Sequence, residues 1–295
     1  MKAGPPRRSR PRKRPPHGPA IEIPGALVAL PLPGRRERLD GFWRRRTPRN
    51  RTLLVFVHGM GGNFYRSRLK QELLLQAPAA GFDVLTFNNR GCEERVAGER
   101  FADCLGDLDA ALRFGAAKGY RRFVLLGHST GCQKSTYFQA RRRDPRVRAL
   151  VLAAPGDDYA ISRRELQRRH GFWVARARRL VAAGRGAERL PPACKGFTAR
   201  RFLSAADPRQ AEAALFDYAG PMRLYRRIAG PVLAFFGTRE EYACLPVQAM
   251  GRILREKSRS RRFAFAVVRG ANHGFRGHER ATVRLVLRWL QRAAR

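Results

Sequence analysis

A rhythm constrains this chain more than any other feature. Short, wholly apolar runs alternate with helix-length segments. The runs are Leu53–Val57, Phe82–Phe87, Phe123–Leu126 and Val147–Ala153, with helical stretches expected near Arg66–Gln76, Phe101–Lys118 and Thr130–Arg142. A strand with one wet face would alternate apolar and polar residues. These runs do not, which is the pattern of parallel strands covered on both faces. Such alternation predicts an α/β fold built on a doubly wound, mostly parallel sheet. Upstream, Leu27–Leu30 and the stretch around Asp40–Trp43 read as a leading antiparallel hairpin or meander.

The rhythm stops between about Gly156 and Ala229 and then resumes. Pro231–Phe236, a helix near Leu245–Lys257, Arg262–Val268 and a last helix near Phe275–Arg292 complete it. Residues 156–229 are helical and basic, without a strand-like run, and read as a lid insertion. Residues 21–155 and 230–295 then form the core. The first helix of the insertion is expected near Ile161–Ala182. At about 100° per residue, Leu166, His170, Trp173, Ala177 and Leu180 share one face, with Arg164, Arg168, Arg178 and Arg179 opposite.

Charge is the outlying part of the composition. There are 61 Lys+Arg against 23 Asp+Glu, a net +38. Seven of the positives lie in residues 1–20, which contain no acid and are expected to form a disordered basic tail. Such a field attracts anionic substrates and gives nonspecific contact with polyanions. The excess of arginine over lysine, with abundant Ala and Gly, also follows from composition bias. Aromatics are not interleaved with the arginines, which argues against base-specific RNA readout. The five cysteines (Cys92, Cys104, Cys132, Cys194, Cys244) form no C-x-x-C pair, so reduced thiols in a cytoplasmic protein are expected. The N-terminus has no apolar stretch of the kind a secretory signal needs. No apolar run reaches the roughly 18 residues of a membrane helix.

Gly127-His128-Ser129-Thr130-Gly131 matches G-x-S-x-G between an apolar run and a helix. That context makes a sharp strand-to-helix turn that lifts the serine hydroxyl above the sheet. A serine hydroxyl is a weak nucleophile and needs a base. His273, in Gly270-Ala271-Asn272-His273-Gly274, follows a strand-like run and is the candidate base. His58 lies upstream, His278 enters the last helix, and His128 is expected to pack or hydrogen-bond within the turn. The acid should follow the preceding strand, where Glu240 is favoured, with Glu241 the neighbour and Asp157 or Asp158 further alternatives. Oxyanion donors are expected from the backbone of Thr130 and, in His58-Gly59-Met60-Gly61-Gly62, of Met60, with Gly61 the alternative. Cys132 is expected to pack in the helix. No P-loop, H-E-x-x-H or metal cluster is legible, and no cofactor is expected.

Phe56–Tyr65, Asn88-Asn89-Arg90-Gly91 and Gly127–Gln133 together resemble the α/β-hydrolase superfamily, in particular a family that includes fungal siderophore esterases. Members more often carry aspartate where Glu240 stands. The resemblance implies a cofactor-free serine hydrolase of the esterase class (EC 3.1.1) acting on a small-molecule ester through an acyl-enzyme. The competing expectations are an acyltransferase or peptidase with the same site, or a basic binding protein on a hydrolase scaffold.

Overall fold

Among the described residues, eight strands form one sheet. They are β1 (Ala26–Pro31), β2 (Arg38–Arg44), β3 (Thr52–Val57), β4 (Asp83–Phe87), β5 (Arg122–His128), β6 (Val147–Ala153), β7 (Val232–Arg239) and β8 (Phe263–Asn272). Their order is β1-β2-β4-β3-β5-β6-β7-β8. β1 and β2 are the expected antiparallel hairpin, and β2 pairs antiparallel with β4. From β4 to β8 every pairing is parallel. The computed structural model describes residues 20–46 and 51–293. The expected basic tail therefore lies, apart from Ala20, outside the described residues.

The apolar runs are buried because both faces of the sheet are covered. Leu53, Leu54, Val55, Val124 and Leu125 have no exposed surface. The helices that pack the sheet include α1 (Arg68–Gln76), α2 (Cys104–Ala117) and α3 (Thr130–Arg142). Among the described residues no helix is long and apolar enough to cross a membrane.

Between β6 and β7 the chain runs through α4 (Asp158–Leu166), α5 (His170–Ala182), α6 (Ala199–Ala206) and α7 (Ala211–Leu215). α8 (Val247–Lys257) and α9 (Glu279–Ala293) follow in the second half of the chain. The single helix expected over Ile161–Ala182 is thus two. Gln167 adopts a positive φ of 47° and opens a short 3-10 turn that separates α4 from α5. The break re-phases the face. Val174 and Ala177 are the buried residues of α5, while Leu166, Trp173 and Leu180 are only partly covered. This segment has its own small core, with Phe197, Phe202 and Leu203 against Val174 and Ala177. Phe172, by contrast, is 55% exposed.

Candidate active site

Four chain segments converge at the carboxyl ends of β3, β5, β7 and β8. The tightest is the turn from β5 into α3. Ser129 stands there at φ 55° and ψ −129°, a region that costs of order 1–3 kcal/mol for a residue with a Cβ. The surrounding backbone holds it. Ser129 N–H donates to Ala153 O at 2.9 Å, and Cys132 N–H donates to Ser129 O at 2.8 Å. Glycine is required on both sides. A Cβ at Gly127 would lie 2.3 Å from Gly131 O, and one at Gly131 would lie 2.0 Å from Val57 O. Cys132 is fully buried, its thiol turned to the carbonyls of Gly127 and Ala153, and burial pushes its pKa up.

The loop after β3 runs against this turn. A Cβ at Gly59 would lie 2.8 Å from the Ser129 Cβ, so His58-Gly59-Met60 passes directly beside the serine. His58 is a strut of this loop. Its Nδ1 meets Gly59 O at 2.8 Å and its Nε2 accepts from Asn89 N–H at 3.2 Å. Burial, with the nearby Lys134 charge, drives its pKa well down, so the imidazole is neutral. Asn88 and Asn63 brace the same loop. Asn88 Oδ1 accepts from Phe64 N–H, and Asn63 Oδ1 accepts from the N–H groups of Tyr65 and Arg66. Thr130 N–H, first in α3, has no acceptor within its own helix.

On the far side, β7 and β8 bring a carboxylate to a histidine. Their register is regular up to Gly237↔Val268 and then jumps to Arg239↔Asn272. The extra residues of β8 bulge at Gly270, at φ +79°, where its N–H donates to Thr238 Oγ1 at 2.8 Å. Glu240 and His273 are the next residues of the two strands, so the bulge sets them side by side. His273 Nδ1 meets Glu240 Oε1 at 2.7 Å, with 2% of the Glu240 side chain exposed. Tyr242 N–H also donates to that oxygen, at 3.2 Å, and the Tyr242 ring stands edge-on to His273 with centroids 4.7 Å apart.

The other candidates take different places. Glu241 reaches only the backbone of His273, accepting its N–H at 2.7 Å. Asp157 caps α4, accepting from Ala160 N–H and Tyr218 N–H, and burial pushes its pKa up to about 6. Asp158 accepts from Gln133 Nε2 at 2.8 Å. His128 Nε2–H donates to His273 O at 2.8 Å, and loss of solvent with the facing His273 pushes its pKa down to about 3. His278 is one residue ahead of α9 rather than inside it, beside Gly270.

A cavity of about 800 Å³ joins these parts. Met60, Ser129, Thr130, His273 and Tyr242 line it, together with Lys70, Asp158 and Arg276. A narrow apolar side pocket opens past Met60 and Asp158, walled by Ile161, Leu166, Phe197 and Phe202. Among the described residues no cluster of His, Cys, Asp or Glu is arranged to hold a metal ion.

Two features escaped the sequence reading. One is Lys70, 3% exposed, whose amine reaches Asn63 O. The other is a buried ion network that reaches α3, the helix after Ser129. Lys134 Nζ meets Glu99 Oε1 at 2.5 Å, and Arg201 grips Glu212 with two bonds of 2.7 and 3.0 Å. Arg201 Nε also lies 3.5 Å from Glu99 Oε2. No local signal marks either one, because a charged residue in a helix pattern ordinarily reads as a solvated face.

Residues 54–286 match the model of an alpha/beta hydrolase family, and the chain belongs to that family. Among solved structures, siderophore hydrolase EstB from Aspergillus fumigatus is similar, with TM-score 0.66 and 16% identity over 92% of this chain and 98% of that one. Est1E from Butyrivibrio proteoclasticus matches with TM-score 0.64 and 15% identity, over 91% and 98% of the two chains. A Paleococcus ferrophilus monoacylglycerol lipase matches with TM-score 0.60 and 20% identity, over 86% and 99%. At these identities the likeness is one of fold. A comparison with curated proteins finds no match.

Proposed function

We propose that this protein hydrolyses carboxylic esters, with Ser129 as nucleophile, His273 as general base and Glu240 as the orienting acid. One observation carries the reading. A serine on a strained strand-to-helix turn and a histidine bonded at Nδ1 to a buried carboxylate line the same cavity. Fixing Nδ1 as the protonated nitrogen leaves Nε2 free to take the serine proton. Ser129 attacks the ester carbonyl, and the backbone N–H groups of Met60 and Thr130 receive the oxyanion. His273 then returns the proton to the departing alcohol. Water, activated by the same imidazole, releases the acid from the acyl-enzyme. His128 holds the histidine loop through the His273 carbonyl and takes no proton. Helices α4 to α7 form the lid over the acyl-binding side. The names of similar structures, a siderophore hydrolase and a monoacylglycerol lipase, point to the same ester class.

The test is pre-steady-state hydrolysis of nitrophenyl esters of graded chain length. A nitrophenol burst matching the enzyme concentration, followed by slower turnover, is expected for at least one ester. Turnover of aminoacyl amides without ester hydrolysis would overturn the assignment in favour of a peptidase.

A further inference from the structure

Among the described residues Lys70 is the one buried cation without a counter-charge, and it lines the cavity. The other fully buried cations are matched: Lys134 by Glu99, and Arg201 by Glu212 and Glu99. Lys70 is nearly as buried, yet its amine meets only the Asn63 carbonyl and lies 5.5 Å from the Phe56 ring centre. No carboxylate partners it among the described residues. A buried charge without a partner is costly, and burial lowers the Lys70 pKa to about 7. A buried, shifted cation at a cavity wall is the pattern in which functional groups concentrate.

The charge around Lys70 is mainly positive. His58 and His128 feel its charge and are both held neutral. Arg68 and Arg276 line the same cavity from its exposed rim, as do Arg66 and Lys195, which are already paired with Glu93 and Glu165. Of the two acids in the lining, Asp158 is pushed well up by burial and by the Glu212 charge, which leaves Glu279 in the first turn of α9. An anion entering this cavity meets exposed arginines first and the buried amine last.

We infer that the ester taken by this site carries a carboxylate on its acyl or alcohol side, and that Lys70 receives it. This rests on the reading of Ser129 as nucleophile. One buried ammonium balances one negative charge, which fits a monoanionic acid group better than a polyanion. The narrow apolar side pocket takes the uncharged end.

Two matched pairs test it at about pH 6, below the Lys70 pKa. One compares mono-nitrophenyl adipate with nitrophenyl hexanoate, the other 4-carboxyphenyl hexanoate with its methyl ester. In at least one pair the anionic ester should have kcat/KM higher by roughly tenfold or more, about 1.4 kcal/mol. Lys70→Met should bring that ratio down to about one. Lys70 also braces Asn63, so Arg276→Gln serves as an independent variant, expected to raise KM for the anionic ester several-fold. The inference is overturned if neither pair favours the anion in the wild type, or if Lys70→Met slows both members equally. A fluorophosphonate label on Ser129 keeps the failures apart. With the label and no preference, the carboxylate inference falls alone; without the label, both readings fall.

Discussion

The carboxyl edge of the sheet and the helical segment between β6 and β7 are held by different physics. At the sheet edge, backbone geometry decides position. Gly127 and Gly131 permit the Ser129 turn, and a bulge at Gly270 sets His273 beside Glu240. In the helical segment, long side chains decide it. Arg201 on α6 grips Glu212 on α7 and lies near Glu99, which in turn meets Lys134 on α3, five residues beyond Ser129. The first region is specified by short local motifs. The second depends on charges far apart in sequence finding one another without water. Side-chain substitutions at Ser129, His273 or Glu240 should therefore remove chemistry and spare the fold, whereas those in the network should loosen the fold first.

The largest effect is expected at the edge. Ser129→Ala should lower kcat by roughly four to six orders of magnitude, with a melting temperature no more than a few degrees from wild type. Glu240→Gln comes next. It keeps the size of the side chain but no longer enforces the His273 tautomer, so kcat should fall by about 10³ to 10⁴. Steady-state ester kinetics with parallel thermal melts check both. A large stability loss in either variant would break the distinction between the two regions.

The network should behave in the opposite way. Arg201→Met leaves Glu212 buried and unpaired, and should cost about 3–5 kcal/mol in urea unfolding. The double variant Arg201→Met with Glu212→Leu should recover much of that loss, since both charges are gone. If the double variant loses the sum of the two single losses, the pair is not coupled as described.

The smallest effect is a pH slope. Asp157 has a folded pKa of about 6 against an ordinary value of 3.8. The folded chain therefore holds this proton over a range where the unfolded chain has released it. Its contribution lowers stability as pH rises from about 4 to 6. Asn can also cap a helix, so Asp157→Asn should flatten that part of the stability–pH curve. An unchanged slope would show that the carboxyl is not titrating there.

The same division explains what could be read from the sequence. The parallel strands were legible because runs such as Leu53–Val57 are apolar on both faces. The turn at Ser129 and the meeting of His273 with Glu240 were legible because each residue follows its own strand close to a glycine. The α4–α5 break at Gln167 was not, because a left-handed glutamine carries no turn signature and the helical periodicity runs through it. Lys70, Lys134 and Arg201 were read past because burial is a tertiary property. Nothing within a few residues of Arg201 reveals that Glu212 and Glu99 will be waiting.

A covalent label puts the proposed role of Ser129 as nucleophile to the test. The full chain is treated with a fluorophosphonate probe, digested, and the adduct located by peptide mass spectrometry. A single adduct is expected on Ser129, absent in Ser129→Ala and formed far more slowly in His273→Ala. An unlabelled wild type, or an adduct that persists in Ser129→Ala, would contradict that role.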